Sequence, residues 1–114
     1  VDTTCGGGLN SICIQPDGSV CPCVNSVRND SKLGNILDDE LKTIMLKSKK
    51  DEFTKANIIT KSECNNCQLK FVCLGGCKAD NLWNNKLVTD RHYFCESNKK
   101  FINGIFEQIL HDIE

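Results

Sequence analysis

Two side-chain periods divide the chain. Residues 11–23, "SICIQPDGSVCPC", carry the shorter one. The β-branched run "ICI" meets "PDG", where Pro16 presets φ for a type I turn and Gly18 takes the left-handed bulge position, so the segment predicts a β-hairpin. Such a loop pairs Gln15 with Ser19, Ile14 with Val20 and Cys13 with Cys21. Alternation then sets Ile12, Ile14 and Val20 on a core face and Cys13, Cys21 and Cys23 on an opposite wall of thiols. Gly6 to Gly8, just before, let the backbone approach whatever sits there.

The longer period takes over further on. Leu41, Ile44 and Met45 stand at helical spacing behind Asp38 and Asp39, predicting a helix over 38–47. A shorter helix over 51–59 would carry Phe53, Ile58 and Ile59, which makes 36–59 a helical middle. "KADNLWNNK" reads as one or two helical turns that set Leu82 and Trp83 against the core. The clearest helix is 97–113, capped by Ser97, with Phe101, Ile102, Ile105, Phe106, Ile109 and Leu110 on one stripe and Gly104 as a weak point. Packing is the simplest account of that stripe; a docking surface for a neighbour is the sharper one. Together these elements predict a small α+β domain spanning 1–114, with Cys-rich loops over 62–95.

Composition changes the picture of what holds the domain together. A chain of 114 residues with 39% hydrophobic and 6% aromatic residues buries only a modest core, and nine Cys stand ready to reinforce it. Lys+Arg of 14 against Asp+Glu of 15 give a formal net charge of -1, which leaves no electrostatic footprint for nucleic acid or an anionic membrane. No apolar run spans a bilayer and no export signal is visible, so a soluble, cytoplasmic chain is expected. The abrupt start "VDTTCGGG" looks like a cut from something longer.

The thiols admit three readings. Disulfides meet an odd count and the tight spacings "CPC" and "CNNC". Zinc favours C-x₂-C hairpins, and iron–sulfur clusters also want Cys thiolates at short spacings. Spacing narrows the question to a metal without naming it.

Cys5, twelve residues, Gly18, four residues, Cys23, then Cys64-x₂-Cys67-x₅-Cys73-x₃-Cys77 and finally Cys95 resembles the seven-cysteine signature of the SPASM domain. That domain is the C-terminal extension of radical S-adenosylmethionine enzymes that modify peptides and proteins. "CGGG", "PDGSVCPC", "LGNI" and "CLGGCKAD" agree with it. The resemblance implies a fold organised around two auxiliary [4Fe-4S] clusters that exchange ligands. Carried over, Cys64, Cys67, Cys73 and Cys95 hold one cluster, and Cys5, Cys23 and Cys77 the other. For the fourth ligand of the latter, Cys21 is taken because it lies nearer Cys23, with Cys13 as the alternative and an open, substrate-binding iron as the third arrangement. Each cluster would then tie remote segments together, with Gly75 and Gly76 letting the chain swing between them.

The implied role is electron transfer, substrate-peptide binding, or both, beside a radical S-adenosylmethionine core domain in the same or a separate chain. The cofactor-cleaving motif C-x₃-C-x₂-C is absent from these residues, so S-adenosylmethionine would bind only in that core, and no other catalytic constellation stands out. His92 and His111 read as surface or packing residues, Asp80 and Asp90 as solvated or capping ones, and Trp83 and Tyr93 as core, since aromatics bury area first. The alternative function is a peptide- or protein-binding module, stabilised by zinc or clusters and without redox work.

Overall fold

The structure, a computed structural model, describes residues 3–114. The hairpin forms in the expected register: β1 (Cys13–Ile14) pairs with β2 (Ser19–Cys21), antiparallel, with Cys13 opposite Cys21 and Ile14 opposite Val20. Gly18 takes φ +86, and Asp17 fastens the turn by accepting from the Ser19 amide at 3.0 Å and the Ser19 hydroxyl at 2.6 Å. The designated core face is only half realised. Val20 is fully buried while Ile14, on the edge strand, is 48% exposed.

A third strand, β3 (Gly34–Asn35), pairs antiparallel with β2, giving the order β1-β2-β3. Gly and Asn have little strand preference, so tertiary bonds hold them instead. Asn35 donates its amide to Asp39 Oδ2 at 3.0 Å and its Nδ2 to the Asp17 carbonyl at 3.1 Å. With Asp39 so occupied, the first helix starts later than expected. α1 spans Leu41–Lys50, behind Glu40, which makes no side-chain cap. Ile44 on α1 closes one small core with Val20 and Leu33. One turn on, the buried Ser48 donates its hydroxyl to the Gly8 carbonyl at 2.6 Å.

α2 is a single turn, Glu52–Lys55, capped by Asp51, whose carboxylate accepts from the Phe53 amide at 3.0 Å. It ends well short of the expected 59, because Asn57 folds back to accept from the Ile59 amide at 2.8 Å. Phe53 heads a second core with Ala56, Ala79 and Val88, against which Cys23, Cys77 and Leu82 pack. The Cys-rich region holds two further single turns, α3 (Ser62–Asn65) and α4 (Lys70–Cys73), before α5 (Lys78–Trp83).

α6 runs from Cys95 to Ile113, two residues earlier than expected and without a side-chain cap. Its apolar stripe is not core: Phe101 is 70% and Leu110 62% exposed. At 1.5 Å per residue its 19 residues reach about 28 Å, in a molecule with extents of 58, 27 and 23 Å. The packing reading of the stripe fails because the helix extends from the body instead of lying on it.

Candidate metal centre

Cys64 sits in α3, Cys67 in the turn after it, Cys73 at the end of α4, and Cys95 at the start of α6. These four thiols, from segments up to about thirty residues apart, line one cavity of about 290 Å³. Local bonds fix the approach. The Cys67 amide donates to the Cys64 carbonyl at 3.0 Å, and the Leu69 amide points at Cys67 Sγ at 3.4 Å.

Between Cys73 and Cys77 the backbone makes a left-handed bend, with φ +55 at Leu74, +81 at Gly75 and +74 at Gly76. Two glycines take most of that conformation without strain; Leu74 takes its share at some steric cost. Gly75 lines the cavity, whereas Cys77, beyond the bend, packs against the Phe53 core beside Cys23. The N-terminal loop closes on the same place, since a Cβ at Gly7 would lie 3.3 Å from Cys23 Cβ and 3.4 Å from the Phe53 ring. Gly8 serves packing too: a Cβ there would collide with Thr54 Oγ1. Cys5 is exposed. Cys21 is fully buried in β2, opposite Cys13, whose Sγ accepts from Gln15 Nε2 at 3.1 Å.

Charge around the thiols is lopsided. Lys70, Arg91 and Lys99 line the cavity against a single carboxylate, Glu63. Behind its wall, the Lys61 ammonium is buried and donates to the Gly75 carbonyl at 3.1 Å. Burial pushes the Cys64 thiol up, with Lys61 pulling the other way. Burial likewise raises Cys21, against a bond from the Arg28 amide. Cys95, ahead of Glu96, holds the Arg91 guanidinium above its ordinary value.

Among the described residues no three side chains converge on a single metal ion. Cluster ligands need not converge so closely, because each binds a different iron. Four soft thiols around a roomy, cation-lined space suit a thiolate-bound iron–sulfur group, whose complex is anionic.

His92 is buried at the cavity wall, with Nδ1 accepting from the Phe94 amide at 3.1 Å. Its Nε2 lies 3.6 Å from Asp80 Oδ2, beyond hydrogen-bond reach, and burial lowers its pKa. His111 is exposed, and Asp90 caps a turn by accepting from the Leu87 amide at 2.8 Å. Two aromatics expected in the core lie outside it. Tyr93 is 47% exposed and Trp83 57%, Trp83 being held at the surface by Arg28 stacked 4.8 Å over its ring and by its bond to the Asn25 carbonyl at 2.6 Å. Sequence reasoning passed over Lys61 and Lys78. Their signal was proximity to Cys64 and Cys77, but nothing in the pattern said that either would be buried.

The SPASM family model, described as an iron–sulfur cluster-binding domain, matches residues 5–68. A cysteine-type anaerobic sulfatase-maturating enzyme of Clostridium perfringens is 31% identical over 108 residues, covering 90% of this chain and 29% of its own. Its counterpart from Clostridium novyi is 29% identical over 98 residues, covering 82% of this chain and 26% of its own. The chain thus spans less than a third of the length of these relatives. No solved structure matches it.

Proposed function

Because this chain belongs to the SPASM family of iron–sulfur cluster-binding domains, we propose that it is the auxiliary cluster domain of a radical S-adenosylmethionine enzyme that matures a peptide or protein. In this reading Cys64, Cys67, Cys73 and Cys95 hold one [4Fe-4S] cluster. Cys5, Cys23, Cys77 and Cys21 hold a second, with Cys13 the alternative to Cys21. The observation that carries the proposal is the shared cavity of Cys64, Cys67, Cys73 and Cys95, together with the bend that turns Cys77 away from it toward Cys23.

Bound clusters supply a low-potential electron acceptor, able to take one electron from a substrate radical as that radical becomes a finished bond. The chain's own residues do the holding. Leu74, Gly75 and Gly76 carry the backbone from one thiol set to the other, and Phe53 keeps Cys23 and Cys77 on one apolar support. The partner is a radical S-adenosylmethionine core domain, in the same or another chain, and thiolate ligation calls for a reducing compartment such as the cytoplasm. The relatives' names make a sulfatase cysteine a reasonable first substrate to try.

Anaerobic reconstitution with iron and sulfide tests the proposal. It expects two clusters' worth of both elements and colour that bleaches on reduction. Colourless protein holding zinc would replace it with a structural binding module.

A further inference from the structure

Two lysines are almost wholly buried, Lys61 and Lys78, each 2% exposed. Among the described residues neither forms an ion pair with a carboxylate. Lys61 has three donors and one accepting partner, the Gly75 carbonyl at 3.1 Å. Lys78 donates to the Phe53 and Ala56 carbonyls at 2.5 and 3.2 Å and lies 4.7 Å over the Phe53 ring. A buried charge without a counter-charge is costly, and these two also repel each other.

Lys61 is joined through its bond to Gly75 to the cavity that Cys64, Cys67, Cys73 and Cys95 line. Burial lowers Lys61 from its ordinary value, and Cys64, Cys73 and Cys5, then Asp90, oppose that by favouring its charged form. Lys61 stands behind that cavity, its Nζ 3.4 Å from where a Cβ on the cavity-lining Gly75 would lie.

We infer that Lys61 is a built-in counter-ion for the thiolate-bound cluster at the cavity of Cys64, Cys67, Cys73 and Cys95, a positioning residue that raises its reduction potential without ligating iron. The inference rests on the cluster reading above. Its physical basis is that reduction adds a negative charge to an already anionic group, so a desolvated ammonium alongside favours the reduced form.

Lys61→Met and Lys61→Arg, made in the whole protein and reconstituted with iron and sulfide, are compared by redox titration followed with electron paramagnetic resonance. The Met variant should keep its iron while one cluster becomes harder to reduce. A tenfold change in the reduction equilibrium would be about 59 mV for one electron. The Arg variant should stay near the parent. Loss of iron in the Met variant that Arg restores would equally support a required charge. Full loading with unmoved potentials overturns the inference, as does a shift or loss of iron that Arg shares. Failure of the unsubstituted protein to take up iron and sulfide sinks the cluster reading itself, which is a separate result.

Discussion

Gly76 faces the ring of His92 so closely that a Cβ on the glycine would lie 2.6 Å from His92 Cγ. The glycine also holds φ +74, a conformation costing other residues about 1–2 kcal/mol. Overpacking adds about 1–3 kcal/mol. Gly76→Ala should therefore destabilise the loaded protein by at least about 2 kcal/mol and release iron earlier in a urea titration. Unfolding within about 0.5 kcal/mol of the parent would show that the bend tolerates a side chain.

Gly104 offers the opposite sign. It lies inside α6, and a methyl group added there would meet nothing within 4 Å. Gly104→Ala should raise stability by about 0.5–1 kcal/mol, seen as greater helicity and a higher thermal midpoint. A lower midpoint would mean that α6 is covered at this point.

Phe53 and Phe101 separate core from surface. Phe53 is 5% exposed and supports both Cys23 and Cys77, so Phe53→Ala should cost about 3–5 kcal/mol and weaken iron retention. Phe101 is 70% exposed, and Phe101→Ser should change stability by less than about 0.5 kcal/mol. Denaturant midpoints of the two variants decide this, and equal losses would contradict the structure.

The hairpin was legible because "PDG" specifies its own turn and the turn specifies the register; Cys13 opposite Cys21 followed without tertiary knowledge. β3 was not legible, since Gly34 and Asn35 become strand only through Asp17, Asp39 and the side of β2 that β1 does not pair with. The start of α1 moved for the same reason, Asp39 being taken by the Asn35 amide. Periodicity found the stripe of α6 but carries no information about whether anything lies against it. For the candidate site, the seven-cysteine spacing was readable, and the bend after Cys73 was hinted at by its glycines. Burial of Lys61 depends on how Gly75 and Ile58 close around it, which no local pattern encodes.

These 114 residues lack C-x₃-C-x₂-C, the arrangement that leaves an iron open for S-adenosylmethionine. Given reductant and that cofactor, the chain alone should release no 5′-deoxyadenosine above background, as measured by chromatography. Combined with a cognate radical domain, Cys64→Ala or Cys73→Ala should lose the finished product while some cofactor cleavage persists. Turnover by the chain alone would overturn the assignment.

Cys77→Ala and Cys95→Ala, compared by iron analysis and Mössbauer and paramagnetic resonance spectra after identical anaerobic reconstitution, test the crossed ligand sets most directly. The account predicts that each variant loses about half of the parent's cluster iron and keeps a different cluster signal. Cys95→Ala should lose the one held with Cys64, Cys67 and Cys73, and Cys77→Ala the one held with Cys5 and Cys23. The contradicting result is a Cys95→Ala protein indistinguishable from the parent, beside a Cys77→Ala protein that has lost the cluster of Cys64, Cys67 and Cys73.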